Sequence, residues 1–352
     1  MKDQYVDSVN RQTTIQFRSS ARFHQRLAIL FALVVALLLI SAMSLFVGAK
    51  PISPTAVIQI LAGETQSTDS MIIWQSRLPR TITGILAGAS LAVAGTLIQA
   101  LTRNPLADPG ILGVNSGASF FVLLGVVLFS NQTMGDHLWF AFGGALLTSL
   151  FVYFVGTYRE VKVNPLKITL AGVALGALLA GISSAITLTS SAAFDQMRFW
   201  DAGSLDVRDL SLPVAALLPI AISLTLAVFI APAIDNLSFG DEIAQGLGTN
   251  VTLIQTLALI TIALLCGSAT AIAGPIGFVG LMIPHVARRL SGPNQFWLTA
   301  YSIVLGPLLL VSADMLGRVI ATNEVRVSVV TAFVGAPVLI FLARKVTSFG
   351  KL

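Results

Sequence analysis

Charge is what this chain most lacks. Asp, Glu, Lys and Arg make up 11% of its 352 residues, against about 25% in a typical soluble domain. That is too little charge to cover an aqueous surface, so the two or three soluble domains that length alone suggests are excluded. Apolar residues reach 55% and continue to the C-terminus, which makes a bilayer the matching solvent. Cysteine is nearly absent: Cys266 stands alone in an apolar run, forms no intrachain disulfide, and reads as a packing residue. Histidine is scarce too. His24, His137 and His285 lie far apart without metal-ligand spacing, so neither a metal site nor a catalytic constellation is expected. A phosphate loop, G-x-x-x-x-G-K-[ST], is missing. Any ATP that drives this protein must bind another polypeptide.

What is there is a succession of apolar runs, each near the roughly 20 residues that cross a bilayer as a helix. Ten are found: Leu27–Val47, Thr81–Leu101, Ile111–Phe129, His137–Thr157, Ile168–Ser190, Leu212–Ile230, Val251–Ala273, Ile276–Leu290, Phe296–Leu316 and Ser328–Ala343. The third and eighth are short or interrupted by Gly and Pro. The first is too long for the core of a cleaved signal peptide and lies behind 26 residues of polar character, so a permanent helix is expected. The expected fold is all-α and polytopic. The expected division is a segment 1–26, a membrane domain 27–345 and a tail 346–352.

Ten spans put both termini on one side. With that side cytoplasmic, 14 of the 21 Lys and Arg fall inside and 7 outside, the expected positive-inside bias. The net charge of +5 is therefore read as topology. No long basic stripe offers itself to nucleic acid. Gly84 and Gly88, Gly113 and Gly117, and Gly172 and Gly176 stand four apart, a spacing that lets helix backbones approach closely. Within the ten runs Asp314 is the only acidic residue, near an outer end, where Arg318 four residues on can pair with it. Ion-coupled carriers keep carboxylates near mid-membrane, so the energy for transport is expected from elsewhere.

Between the sixth and seventh runs lies DNLSFGDEIAQGLGTN, Asp235–Asn250, polar but free of Lys and Arg. Glycines bound a short segment, Asp241–Leu247, that can form a helix with Ile243, Ala244 and Leu247 on one side. From the residues alone, a solvated connector and a docking element for a cytoplasmic partner are equally good readings.

Several long stretches carry a resemblance. RLPRTITGILAGASLAVAG (Arg77–Gly95), TRNPLADPGILGVNSGAS (Thr102–Ser119), LAGVALGA (Leu170–Ala177), GDEIAQGLGTNV (Gly240–Val251), AGPIGFVGLMIPHVARR (Ala273–Arg289) and VVTAFVGAPVLIFLARK (Val329–Lys345) resemble the FecCD family of type II ABC importer permeases. That family serves iron–siderophore, haem and cobalamin uptake. Phe194–Leu210, Leu264–Phe278 and Gly317–Val330 are similar to its ferric catecholate (enterobactin-like) branch.

The resemblance implies ten helices, with helices 2–5 and 7–10 forming an inverted repeat. It implies a second permease subunit, a paralogue or a copy; two ATPase subunits that hold ATP and Mg; and a siderophore-binding protein, periplasmic or lipid-anchored. No cofactor is implied in this chain. The loop 235–250 matches the element that docks the ATPase, which points to Asp241, Glu242, Ala244, Gly246, Leu247 and Gly248. Arg77, Arg80 and Arg318 match positions that meet carboxylates of the binding protein, and Asn104, Pro105 and Leu106 match an inner constriction. Localisation in a bacterial cytoplasmic membrane with both termini inside follows. Alternatives are cobalamin or haem import, an ion-coupled carrier, and a receptor or scaffold that transports nothing.

Overall fold

In a computed structural model, each of the ten expected spans is a helix, and four short helices join them. The backbone is described for residues 2–48, 50–63, 67–129, 134–158, 165–320 and 324–349, and side chains over the same ranges except 2–22, 134–138, 165, 192, 196, 199 and 342–349. Of the charge count above, Arg159, Lys162 and Lys351 lie outside the described residues, as do the side chains of Lys2, Arg11, Arg18, Arg22, Arg344 and Lys345.

The chain runs α1 (Lys2–Phe46), α2 (Pro54–Leu61), α3 (Thr68–Ile72), a π turn (Ile73–Arg77), α4 (Leu78–Thr102), a 3-10 turn (Pro109–Leu112), α5 (Val114–Leu128), α6 (Met134–Thr157) and α7 (Pro165–Thr189). It continues as α8 (Ser191–Trp200), α9 (Ser211–Ser238), α10 (Asp241–Gly246), α11 (Val251–Ala273), α12 (Val279–Ser291), α13 (Gln295–Ile320) and α14 (Val327–Phe349). No strand occurs among the described residues. That is the physical expectation for a bilayer, where each backbone polar group must find a partner within its own segment. Among the described residues seven helices are long and apolar enough to cross, while Val114–Leu128 and Val327–Phe341 are apolar but shorter. Helix starts are written locally: the side chains of Ser53, Ser190 and Asn250 accept N–H groups of Ala56, Ala193 and Leu253 at 3.3, 3.3 and 3.1 Å.

The inverted repeat appears in the packing. Helices α4–α7 and α11–α14 form two sets. The α4–α13 contact has its counterpart in α11–α6, α5–α6 in α12–α13, α6–α7 in α13–α14, and α5–α7 in α12–α14. Helices α4 and α11 pack on each other at the centre. The two short members, α5 and α12, each follow a connection that is not α-helical, residues 103–113 and 274–278. The non-glycine residues with left-handed backbone among those described, Arg103 and Phe278, sit in these two connections. Buried Gln99 bridges the first connection and the first turn of α12. Its amide makes long hydrogen bonds to carbonyls of Ala107 (3.5 Å), Gly280 (3.4 Å) and Leu281 (3.3 Å). This explains why apolar runs three and eight looked broken in the sequence.

Helix α4 is largely buried, whereas in the described part of α1, Phe23–Phe46, only Ser44 is buried. Exposed large side chains such as Phe31, Leu38, Leu188, Phe229 and Phe333 face outward from α1, α7, α9 and α14, a surface suited to lipid or a partner helix and not to water. The burial of α4 depends on bare backbone. A Cβ on Gly88 would lie 2.6 Å from the Gly306 carbonyl carbon, and one on Gly95 would lie 1.9 Å from the Gly280 oxygen. The pairs expected from sequence also mark contacts, since Gly117 meets Thr148 and Gly172 meets Ile111. Gly95→Ala should therefore force α4 from α12 and destabilise the fold by about 1–3 kcal/mol. Gly143→Ala, with nothing within 4 Å of its Cβ, should be neutral. Thermal unfolding in nanodiscs checks this, and equal stability of the two variants would contradict the bare-backbone contact.

Candidate functional site

Polar chemistry gathers at the two ends of α4. At its N-terminal end the π turn delivers Arg77, and the first turn of α4 delivers Arg80. Arg77 Nη1 donates to the carbonyls of Leu45 (2.7 Å) and Phe46 (3.0 Å), and Nη2 donates to the Lys50 carbonyl. Arg80 Nε donates to both Asp314 oxygens at 2.8 and 3.0 Å, while Nη1 donates to Glu324 and stands 3.9 Å from Asp206. Arg318 Nη2 donates to Asp314, confirming the pair expected one helical turn apart, and Nη1 reaches the Ser44 carbonyl at 3.0 Å. One carboxylate thus serves two guanidinium groups, and three arginines tie α1, α4 and α13 together.

These arginines were expected on an exposed rim. Instead Arg77, Arg80 and Arg318 are each 4% exposed, and Asp314 is 1% exposed. Only the outer partners reach solvent: Glu324 and Asp206 keep 40% and 45% of their side chains exposed. Pattern reasoning saw the arginines but could not see the C-terminal carbonyls of α1 that absorb them.

The opposite end of α4 carries the turn Asn104–Pro105–Leu106. Asn104 Oδ1 accepts the Leu106 N–H at 2.9 Å, closing a tight turn in which Pro105 keeps its predecessor extended. The Pro105 carbonyl lies 2.9 Å from His285 Nε2 on α12. Since a carbonyl only accepts, that nitrogen carries the proton. Beside this turn stands α10. Ala244 is fully buried against Leu237 and Val251, whereas Ile243 and Leu247 are 56% and 59% exposed. The sequence placed all three on one side; the structure turns Ala244 inward and leaves Ile243 and Leu247, four residues apart, facing out. Phe239 extends this apolar patch, Asp241 and Glu242 occupy the first turn, and Leu247 ends the helix. Gly246 and Gly248 have open space where a Cβ would be. A cavity of about 340 Å³ opens between α12 and α14, apolar apart from His285 and Arg289.

Longer helices than expected bring more acids into the spans, and those with described side chains are partnered. Asp69 pairs with Lys50. Asp235 lies inside α9 and accepts the Gln295 N–H at 2.9 Å and the Asn294 amide at 3.1 Å. A residue that pattern reasoning passed over is Arg103, whose signal is its left-handed backbone at the end of α4.

Removing the shared carboxylate tests the buried cluster. Asp314→Asn leaves two buried guanidinium groups short of countercharge and should cost about 3–5 kcal/mol. Glu324→Gln breaks a half-exposed pair and should cost about 1 kcal/mol or less. Thermal unfolding of the two variants side by side checks the ranking; equal losses would contradict it.

Comparison with known proteins agrees with this geometry. The pattern of the FecCD transport family matches residues 33–345. The ferric enterobactin transport system permease protein FepD of Escherichia coli (strain K12) is 48% identical over 318 residues, covering 90% of this chain and 95% of the relative. The Fe(3+)-citrate import system permease protein YfmD of Bacillus subtilis (strain 168) is 38% identical over 330 residues, 93% and 96% of the two chains. A solved structure described as an inward-facing metal-chelate type ABC transporter superposes with a TM-score of 0.78 at 27% identity, covering 91% of this chain and 99% of that one. The chain belongs to the FecCD transport family.

Proposed function

We propose that this chain is the permease subunit of an ABC importer that passes a ferric siderophore of the catecholate type across the bacterial cytoplasmic membrane. The observation that carries the substrate class is the 48% identity, sustained over nearly the full length of both chains, to a ferric enterobactin permease. The chain itself hydrolyses nothing; ATP and Mg belong to two partner subunits. A second permease subunit, a paralogue or a copy, completes the path, and a siderophore-binding protein delivers the cargo from outside.

Geometry supports each part of this reading. Helix α10 shows an apolar face to the end of the molecule that carries the turn 104–106, and such a face suits a partner groove. This end is the cytoplasmic one in the proposal, with both termini on its side. At the other end, Arg77, Arg80 and Arg318 converge on one spot. A partner carboxylate reaches Arg80 there by displacing Glu324, whose side chain is exposed whereas that of Asp314 is buried. An ion-coupled carrier is the poorer reading. Asp69, Asp235 and Asp314, the acids within the seven long apolar helices, are all engaged in holding the fold.

Uptake by cells tests the assignment. A bacterial strain lacking this chain should fail to accumulate radiolabelled iron from ferric enterobactin and recover on re-expression, while cobalamin and haem uptake stay unchanged. Loss of cobalamin or haem uptake with normal enterobactin uptake would move the protein to another branch of the family.

A further inference from the structure

Residue Arg103 connects two elements that the chain itself keeps far apart. Covalently, α10 is separated from the turn 104–106 by α5 through α9. In space one side chain spans them. Arg103 Nη2 donates to the Leu237 carbonyl at the end of α9 (2.8 Å) and to Asp241 Oδ1 at the start of α10 (2.6 Å). Its backbone is left-handed, φ 50 and ψ 28, a conformation that a residue with a Cβ adopts at a cost. Such strain persists where the surroundings over-determine it. The next residue begins the turn, and on its far side His285 holds the Pro105 carbonyl from α12. The turn is thus gripped from α10 on one side and from α12 on the other.

Stability alone gives this grip little purpose. Half of the Arg103 side chain is exposed, and exposed ion pairs shift an equilibrium by only about fivefold at most. We propose that Arg103 is a positioning residue that relays movement of α10 to the turn Asn104–Pro105–Leu106, with His285 as the counter-anchor on α12. The inference rests on α10 being the ATPase-docking element and on the turn being the inner constriction. It adds the physical link between them. A link that is a single solvent-accessible bond can break and re-form within each transport cycle, which a buried pair resists.

The test uses the complete transporter, with its second permease and ATPase subunits, in proteoliposomes, and ferric enterobactin as probe. With Arg103→Gln the ATPase subunits should still co-purify and hydrolyse ATP, while iron carried per ATP falls about threefold to fivefold. Exchanging the charges, Arg103→Asp with Asp241→Arg, rebuilds the bond to α10 but not the one to the Leu237 carbonyl, so it should restore the ratio in part, since Asp tolerates the left-handed backbone. If Arg103→Gln does not fold, Asp241→Ala removes the acceptor on α10 from the other side and should show the same uncoupling. Wild-type iron per ATP in a folded single variant, or a loss that the charge exchange leaves unrepaired, would overturn the proposal. Gly246→Trp separates this from the underlying reading. A Cβ at this position meets nothing within 4 Å, and the bulk of the Trp ring should release the ATPase. If the ATPase stays bound, the docking reading fails. If the ATPase is released while Arg103→Gln transports normally, only the relay fails.

Discussion

The close approach of α4 to two other backbones governs this structure. At Gly88 and Gly306, and again at Gly95 and Gly280, there is no room for even one methyl group. Lipid offers no hydrophobic drive to press helices together, so contact of this kind must come from van der Waals fit between small residues. The result is a central strut, α4, locked to α12 and α13 of the opposite repeat. Its two ends then inherit their neighbours. Arg80 meets Asp314 because α13 runs alongside, and Arg103 meets Asp241 because α9 and α10 close the other end.

Those two ends use the same pairing chemistry in opposite ways. The cluster around Asp314 is buried, shares one carboxylate between two arginines, and ties α1 by its last carbonyls. Breaking such a cluster leaves uncompensated charge in a poor solvent, so it holds the frame. The Arg103–Asp241 pair is solvent-accessible and cheap to break. A frame fixed at one end of α4 and adjustable at the other fits the proposed function, in which the adjustable end answers to a partner and the fixed end keeps its shape.

Much of this was legible in the sequence. Apolar runs of bilayer length located all ten long helices, because in lipid each backbone must satisfy itself locally and hydropathy records that directly. The Asp314–Arg318 pair was legible because four residues make one helical turn. By contrast, the burial of Arg80 depends on Asp314, 234 positions away, and no local pattern encodes that contact. Gly95, Gly280 and Gly306 escaped the four-residue spacing because none has a glycine four residues away, and each approaches a helix distant in sequence. The orientation of α10 was misread for a simpler reason. Ala244 is small enough to pack beneath the helix, while Ile243 and Leu247, which pattern reasoning would bury, stay outside.

The central claim is that the energy for transport enters through a partner at α10 and not through an ion site in the membrane. The most direct measurement is flux into proteoliposomes that hold the complete transporter, with ferric enterobactin and its binding protein outside. Vesicles are loaded either with ATP and Mg or with no nucleotide under an imposed proton or sodium gradient. The account predicts iron accumulation with ATP alone and none with either gradient alone. Accumulation driven by a gradient in the absence of ATP would contradict it.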